Sequence, residues 1–443
     1  MSRIRLISLG CSKNRVDSEH LLRLAQAGGY TVVPEEADPL LEPADTVVIN
    51  TCGFIGDAKE ESVNTILEAV RDRQEGRIRH LFVMGCLAQR YRSELPGLIP
   101  EVDGFFGVNE MPQLLQALHV PSNPSLAARR YLTTPAHYAY LKISEGCDRR
   151  CSYCAIPLIR GPHVSVPLEV LEDEARSLAG GGVRELILIA QDTTYYGMDL
   201  YGRRELRRLI DRLSEIDGIE RIRLHYSYPE GFPQDVLEAM ATNPKLCPYL
   251  DIPLQHSEDA VLRAMRRHID GEGTRRILDR IREAVPGVVL RTTLMVGHPG
   301  EGEAEFERLL DFVREYRFER LGAFRYSEEE GTWGAEHLKD EVPEAVKQER
   351  YDRLMEVQSG ISEAYNVSRI GTVERVLADS YADGVLVTRS RFESPEVDGE
   401  ILVGDAASLG KLAGVSGPQA AVGTFFDVKI VSAGEYDLLA EVV

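Results

Sequence analysis

The stretch Cys147-Asp-Arg-Arg-Cys151-Ser-Tyr-Cys154 holds three cysteines at C-x3-C-x2-C spacing. A loop with this spacing can wrap three thiolates around one iron–sulfur cluster, whereas a closed 4Fe–4S cluster takes four. Three ligands leave one iron open to a substrate or a cofactor. The alternative is a zinc knuckle, but structural zinc sites normally close with four ligands, and no nearby histidine completes this set. The spacing therefore favours an iron–sulfur cluster with one open iron.

An α/β core is predicted around this loop, over residues 136–365. Its predicted strands are Ala139–Ser144, Glu185–Ala190, Arg221–Tyr226, Tyr249–Ile252, Val288–Val296 and Arg320–Phe324. Helical stretches separate the strands, and six βα repeats favour a partial, open (β/α)6 barrel over a closed eightfold one. Cofactors bind at the carboxyl ends of the strands in such barrels. Cys147 follows the first predicted strand, so the motif and the architecture agree.

A smaller parallel α/β domain is predicted over residues 1–119, because apolar strands and helices alternate there. Three predicted strands are each followed two residues later by a cysteine. The strands are Ile4–Leu9, Asp45–Asn50 and His80–Met84, and the cysteines are Cys11, Cys52 and Cys86. The carboxyl ends of parallel strands share one edge of a sheet, where ligands bind, so these thiols are expected to converge on one site. Three unrelated core cysteines are the alternative, since free cysteine is often buried. The first helix is predicted to start at about Asp17.

A linker is predicted over residues 120–135, which contain several Pro, Ser and Ala, and a further domain over residues 366–443. A long helix, Val342–Tyr365, leads to this last domain. Its short strands are predicted at Thr372–Ala378, Gly384–Thr388, Glu400–Val403, Gly423–Val431 and Tyr436–Val442. Five short strands favour a small antiparallel β-barrel.

The barrel segment is acidic, with five Lys or Arg and twelve Asp or Glu in residues 371–443, and the whole chain has a formal charge of −20. RNA binding depends mainly on neutralising phosphates with basic side chains, so nucleic acid is not expected as the modified substrate. A basic protein partner is the favoured interpretation, with Glu393, Glu396 and Asp398 as candidate docking positions. A solvated acidic face without a partner remains the alternative.

Cysteine use indicates a reducing, cytoplasmic location. Six of the seven cysteines fall in the two triplets, which is not the pattern of a disulfide framework. The start of the chain has no apolar stretch of signal-peptide length, and no run of about 18 apolar residues predicts a membrane span. The seventh cysteine, Cys247, is interpreted as a structural thiol.

The region around the central loop resembles the radical S-adenosylmethionine (SAM) enzymes. The resemblance rests on Tyr140-Leu-Lys-Ile-Ser-Glu-Gly-Cys147 and on Tyr153 between the second and third cysteines. It implies that Cys147, Cys151 and Cys154 hold a 4Fe–4S cluster whose open iron binds the amino and carboxylate groups of SAM. Tyr153 is then a candidate SAM contact.

Later strand ends hold other candidates. Gln191 stands where the superfamily often has Gly-Gly-Glu, and it could contact SAM by its amide or be a loop residue. Arg291 could hold the carboxylate of SAM bidentately or form a salt bridge. His256 is either a ligand or proton donor, or a hydrogen-bonded histidine at the rim. His298 stands in a turn where Phe is usual.

The amino-terminal cysteine stretches resemble the methylthiotransferases. They are Leu9-Gly-Cys-Ser-Lys-Asn-Arg-Val-Asp-Ser-Glu19, Ile49-Asn-Thr-Cys-Gly-Phe-Ile55 and Gly85-Cys-Leu-Ala-Gln-Arg-Tyr91. In that family the three cysteines hold an auxiliary 4Fe–4S cluster, and a TRAM domain closes the chain. Gly-Cys-Ser-Lys-Asn resembles the RimO branch, which methylthiolates the β-carbon of an aspartate in the basic small-subunit ribosomal protein S-twelve. The family scheme uses one SAM as methyl donor, a second as radical source, and an external electron donor.

Two other functions stay open at the level of sequence. A tRNA adenosine methylthiotransferase would share the chemistry, and only the Gly-Cys-Ser-Lys-Asn stretch and the acidic tail oppose it. A noncatalytic iron–sulfur electron carrier or ribosome-binding factor is the other alternative. Carriers usually have clusters closed by four cysteines, so two three-cysteine sites disfavour it.

Overall fold

Five parallel strands form the amino-terminal sheet, in the order β2-β1-β3-β4-β5. The strands are β1 (Arg3–Ser8), β2 (Thr31–Val33), β3 (Thr46–Thr51), β4 (His80–Gly85) and β5 (Gly104–Phe106), and the helices are α1 (Ser12–Ala27), α2 (Gly56–Gln74), α3 (Cys86–Arg90), α4 (Leu95–Leu98) and α5 (Met111–Ala117). Every residue of the central strand β3 is buried, as its apolar sequence predicts for a parallel strand covered on both faces.

The computed structural model describes residues 2–121, 123, 126, 128–412 and 414–443. Residues 122, 124, 125 and 127 of the predicted linker lie outside the described residues. Within the described ranges, no helix is both long and apolar enough to cross a membrane.

Helix α1 begins five residues earlier than predicted, and this is a correction that matters for the site. It starts at Ser12 with Cys11 in extended conformation at its amino-terminal cap. The chain makes the turn from β1 into α1 at Gly10, whose φ is +88°. Asp17 is not a cap, because its carboxylate pairs with Lys142 of the next domain. Cys11 is thus held at the junction of strand and helix.

Six parallel strands form the central sheet, in the order β13-β12-β11-β10-β9-β6, and the two end strands do not pair. The sheet strands are β6 (Tyr138–Lys142), β9 (Glu185–Ile189), β10 (Arg221–Leu224), β11 (Leu246–Asp251), β12 (Val289–Val296) and β13 (Arg320–Arg325), and the short β7 (Ser144–Glu145) and β8 (Val164–Ser165) pair separately. Its helices are α6 (Ile156–Arg160), α7 (Leu168–Gly180), α8 (Met198–Tyr201), α9 (Leu206–Ser214), α10 (Gln234–Thr242), α11 (Asp259–Ala264), α12 (Gly271–Ala284), α13 (Glu303–Tyr316), α14 (Trp333–His337) and α15 (Glu344–Ser368). The predicted open six-stranded barrel is confirmed.

The two faces of this sheet have different contacts, because successive side chains of a strand point to opposite faces. On one face Ala139 and Leu141 belong to the main apolar core, which includes the surrounding helices. On the other, Tyr138 and Tyr140 pack with Val16 of α1. We call this second face the inner face. It also carries the polar side chains of β10, β11 and β12.

A closed five-stranded barrel ends the chain, in the order β14-β15-β16-β18-β17. Its elements are β14 (Val373–Ala382), β15 (Val385–Arg389), β16 (Ile401–Val403), α16 (Ala406–Leu409), α17 (Pro418–Ala421), β17 (Phe425–Ala433) and β18 (Leu438–Val442). The pairs are antiparallel except β16 with β18, which is parallel. The predicted small barrel is therefore confirmed, with one parallel pair.

Residues 390–399, in the connection between β15 and β16, lie against the inner face, and we call them the barrel loop. It contains the three acidic residues expected to dock a partner. For Glu393 and Asp398 that expectation is wrong, whereas the side chain of Glu396 is 40% exposed. The side chain of Glu393 is 1% exposed and that of Asp398 is 2% exposed. Glu393 pairs with Arg369 and also accepts from Ser390 N at 3.0 Å.

The other two acidic residues of the barrel loop join it to the rest of the chain. Asp398 accepts a hydrogen bond of 2.7 Å from the Tyr249 hydroxyl of β11. Glu396 pairs with Arg15 of α1 at 2.6 Å and accepts from the Tyr140 hydroxyl at 3.0 Å. These carboxylates connect the three parts of the chain, and their charge is used in pairing within the protein.

Candidate metal centres

The cysteine loop starts from β7 through a turn that requires glycine. Gly146 has φ +72°, and a Cβ at this position would lie 2.0 Å from the carbonyl oxygen of Pro162. Only glycine combines this conformation with so close a backbone approach. Cys147 N then donates to Gly161 O at 3.1 Å, and Cys154 N donates to Cys151 O at 3.1 Å. These bonds fold the loop back on itself, so that its three thiols come from one compact turn.

Burial keeps two of the loop thiols protonated. It raises the pKa of Cys147 to about 12 and also raises the pKa of Cys154. Metals bind thiolates, so loading a metal cluster on this loop must release protons. Arg149 N already donates to the sulfur of Cys147 at 3.4 Å, as a backbone donor to a thiolate would.

Packing from two later turns supports the loop. Ser152 N donates to Met265 O at 3.0 Å, and Ser152 O accepts from Gly334 N at 2.7 Å. His298 lies beneath, with Nδ1 2.9 Å from Pro299 O and Nε2 3.4 Å from Ser152 Oγ. Burial lowers the pKa of His298 to about 4, so the ring is neutral near pH 7. Its ring also packs edge-on against Tyr153, at 6.3 Å between centroids.

Buried polar atoms without hydrogen-bond partners surround the loop. They are Gln191 Oε1, the Tyr228 hydroxyl and Arg267 Nε. Because folded proteins satisfy nearly all buried polar atoms, such atoms indicate a site for a group that supplies the missing bonds. A cavity of about 130 Å³ opens beside the first cysteine of the loop, and its lining residues are Cys147, Asp148, Arg149, His163, Asp192, Tyr195 and His268. Three thiols beside polar atoms that lack partners fit an iron–sulfur cluster with a polar cofactor.

The other candidates differ in their surroundings. Gln191 donates from Nε2 to Glu145 Oε1 at 2.9 Å, which leaves its oxygen beside the cysteine loop. Arg291 lies on the inner face and bonds Asp251 at 2.9 Å, the salt-bridge alternative. His256 is fully buried; its Nδ1 accepts from Glu258 N, and Nε2 lies 3.2 Å from Glu301. His256 is thus a hydrogen-bonded histidine with both nitrogens engaged.

The second triplet lies at the carboxyl edge of the amino-terminal sheet. Cys11 caps α1, Cys52 directly follows β3, and Cys86 opens α3 after β4. The segments touch closely: a Cβ on Gly10 would lie 3.1 Å from the sulfur of Cys52, and one on Gly53 would lie 2.9 Å from the carbonyl carbon of Cys86. The three strand ends are neighbours at this edge of the sheet, in the order β1-β3-β4. Burial, with the neighbouring thiols, raises the pKa of Cys86 to about 12.

Asn14 holds this edge together and was not singled out from the sequence. Its amide nitrogen donates to Leu9 O and Thr51 O, each at 3.0 Å, which ties the end of β1 to the end of β3. Its side-chain oxygen accepts from the sulfur of Cys86 at 3.8 Å. The available signal was its place in the Gly-Cys-Ser-Lys-Asn stretch.

Helix α6 connects the two triplets. It begins two residues after Cys154, and its Ile159 packs against Cys86. Arg160 at its end donates to Asn14 and, at 2.7 Å, to Glu145. The same carboxylate group accepts from Gln191, so one polar network runs from the amino-terminal triplet to the central cysteine loop.

Within the described ranges, no group of three His, Cys, Asp or Glu side chains has the arrangement of ligands around a single metal ion. A 4Fe–4S cluster spreads its thiolates over separate irons. Three cysteines around a cluster therefore need not converge on one point.

Three known family models match this chain, and each covers the region of one of its three main sheets. The radical SAM superfamily matches residues 141–313, the TRAM domain matches residues 370–443, and residues 3–107 match the uncharacterized protein family UPF0004. Solved structures show the fold. The chain resembles the radical SAM methyltransferase TsrM from Kitasatospora setae, with TM-score 0.56, 15% identity and coverage of 95% of this chain and 85% of that one. For the cobalamin-dependent radical SAM enzyme OxsB the TM-score is 0.52 at 12% identity, covering 82% and 56%.

Curated relatives match from end to end. The ribosomal protein uS12 methylthiotransferase RimO of Porphyromonas gingivalis is 52% identical over 442 residues, covering 100% of this chain and 99% of the relative. The enzyme of the same name from Bacteroides fragilis is 49% identical over 440 residues, covering 99% of each. At this identity over the full length, with both cysteine triplets in place, the chain belongs to the RimO family of radical SAM methylthiotransferases.

Proposed function

We propose that this protein transfers a methylthio group to the β-carbon of an aspartate in ribosomal protein uS12. The observation that carries the proposal is the pair of cysteine triplets joined through α6, in a chain similar along its whole length to uS12 methylthiotransferases. A saturated carbon has neither an acidic proton nor a leaving group, so a radical must open it. A second sulfur-containing site must then deliver the sulfur.

The two triplets divide this work. Cys147, Cys151 and Cys154 would hold the cluster with the open iron, and Gln191 and Tyr153 would contact SAM there. Cys11, Cys52 and Cys86 would hold an auxiliary cluster, which would supply the sulfur. With its cluster and an external electron donor, SAM supplies the radical and the methyl group, while the protein orients the reactants.

The surrounding residues shield the reaction and fix its geometry. Gln191 is held by its bond to Glu145, and its buried oxygen has no hydrogen-bond partner among the described residues. The neutral ring of His298 packs edge-on against Tyr153 and so supports the side of the loop that carries this residue. Cys86 is buried, and Ile159 of α6 packs against it and covers it from water.

Exchanging each triplet for alanine tests the division. Reconstituted protein should hold about eight irons, as two clusters of four. The variant C147A/C151A/C154A should lose half the iron and all reductive cleavage of SAM. The variant C11A/C52A/C86A should also lose half the iron but retain SAM cleavage, and it should transfer no methylthio group. SAM cleavage that survives in the first variant, or transfer in the second, contradicts the assignment.

Mass spectrometry then identifies the substrate. A strain that lacks the gene should show uS12 lighter by one methylthio group, and its tRNA should be unchanged. A loss of methylthio groups from tRNA adenosine instead would favour the tRNA-modifying alternative.

A further inference from the structure

We propose that Arg267 is a positioning residue for the central cluster, acting as the fixed cation that balances its negative charge through Cys151. This inference rests on the proposed role of Cys147, Cys151 and Cys154 as cluster ligands. Arg267 lies in the connection between α11 and α12, outside every motif noted in the sequence.

The contacts of Arg267 bring its charge to the cysteine loop. Its Nη1 lies 3.8 Å from the sulfur of Cys151, and Nη2 donates to Pro253 O at 2.6 Å. The guanidinium stacks over the ring of Tyr228, 4.2 Å from its centroid. Only 8% of the residue is exposed, and Nε has no hydrogen-bond partner.

What distinguishes Arg267 is the lack of a carboxylate. Among the residues that the structure describes, no carboxylate oxygen forms an ion pair with it within 4.0 Å. The other arginines at the site are paired: Arg149 with Asp192 at 3.1 Å, and Arg160 with Glu145 at 2.7 Å. A buried charge is costly unless it is paired. Burial raises the pKa of the neighbouring phenols Tyr153 and Tyr228, so both stay neutral. The remaining neighbour that can carry a negative charge is the sulfur of Cys151, so the missing counter-charge is the thiolate cluster itself.

This placement has an electrostatic consequence. A 4Fe–4S core with three thiolate ligands is anionic, and one-electron reduction adds a further negative charge without forming a bond. A fixed cation in a low-dielectric site stabilises the reduced state more than the oxidised state. Arg267 should therefore make the central cluster easier to reduce by the external one-electron donor.

The test uses the full chain carrying C11A/C52A/C86A, so that only the central cluster is present. Its reduction is followed by electron paramagnetic resonance during titration with dithionite and redox mediators. Arg267→Gln should shift the reduction equilibrium at least tenfold toward the oxidised state, which is about 59 mV for a one-electron couple. Arg267→Lys keeps the charge and should shift it less.

The neighbouring residue provides the control. The Arg266 guanidinium lies 5.0 Å from the centre of the Trp333 ring, and Arg266→Gln removes the same charge one residue away. It should leave the equilibrium unchanged.

The outcomes separate this inference from the proposed function. If the parent variant binds no cluster, the ligand assignment fails. If the parent binds a cluster and Arg267→Gln reduces like the parent or like Arg266→Gln, the role of Arg267 is overturned. Equal loss of the cluster from the Gln and Lys variants would also overturn it, because a merely structural role predicts no benefit from the retained charge.

Discussion

At the scale of single residues, the side chain of Asn14 joins chain segments at the carboxyl edge of the amino-terminal sheet. Parallel strands bring the cysteines to the same edge, where Leu9 N donates to Asn50 O at 2.9 Å, but the segments beyond the strands need further bonds. Asn14 supplies them with both protons of its amide, on Leu9 O and Thr51 O, while its oxygen faces Cys86 and Arg160. It is 1% exposed, so these bonds are made without competition from water.

Asn14→Ala should weaken the amino-terminal cluster site selectively. It leaves two buried carbonyl oxygens without these donors, and each unsatisfied group costs about 1–3 kcal/mol. The measurement is iron per chain in the background C147A/C151A/C154A, where only the amino-terminal cluster remains. We expect a clear loss of iron, while Asn64→Ala, an exposed position on α2, should retain it. Full iron in the Asn14 variant would exclude a role in assembling the site.

At the scale of elements, the sequence predicted most strands and the cysteines that follow β1, β3 and β4, because apolar strands and their ends are local patterns. Two local details were wrong or missed. The start of α1 was misplaced, since Asp17 looks like a cap but pairs with Lys142 across a domain boundary. The edge strand β2 has three residues with little burial, which leaves too weak a pattern to detect.

The sequence could not predict which charged residues pair or pack together over long distances along the chain. Arg267 follows another arginine and looks like surface charge in the sequence, although the fold buries it beside Cys151. The acidic residues of the barrel loop had the same ambiguity. Whether a carboxylate faces solvent or an arginine from a distant strand depends on how the domains pack.

The barrel loop is expected to depend on Glu393. Burial alone would raise the pKa of this carboxyl, but Arg369 and Arg320 lower it to about 2. Removing one partner from a buried ion pair costs about 3–5 kcal/mol. Glu393→Gln should therefore lower the melting temperature strongly, as followed by calorimetry, whereas Glu400→Gln, at an exposed position of the barrel, should change it little.

Because the pKa of Glu393 is lowered, the stabilisation that this residue provides depends on pH. This stabilisation is complete above the ordinary carboxyl pKa of 4.5 and is lost as the pH falls towards 2. The difference in melting temperature between the parent and Glu393→Gln should be constant near neutral pH and shrink below about pH 4.5. A difference that grows on acidification would contradict the pairing.

At the scale of the whole molecule, the barrel exposes less negative charge to solvent than its number of acidic residues suggests. Four of its twelve carboxylates have side chains no more than 15% exposed and take part in hydrogen bonds or ion pairs inside the protein. They are Glu374, Asp379, Glu393 and Asp398. The other carboxylates of the barrel are exposed, and those on β17, β18 and the turn between them are the ones to test as a docking face.

Charge reversal on this outer face tests whether the barrel attracts its partner. Asp427, Glu435 and Glu441 are exposed, and changing them to Lys should weaken binding of uS12, mainly by slowing association. The effect should shrink with added salt, because such attraction is screened over about 8 Å at physiological ionic strength. Cleavage of SAM without substrate should not change, since the cysteine loop belongs to another sheet.

A matched reversal separates local docking from overall charge. Glu272, Asp279 and Glu283 are exposed on α12, and their change to Lys alters the net charge by the same amount. If the barrel surface docks uS12, association rates measured by stopped flow should fall further for the barrel variant than for the α12 variant, and the difference should vanish at high salt. Equal rates for the two variants would mean that only the total charge of −20 steers the encounter, because long-range attraction to net charge does not distinguish one face from another.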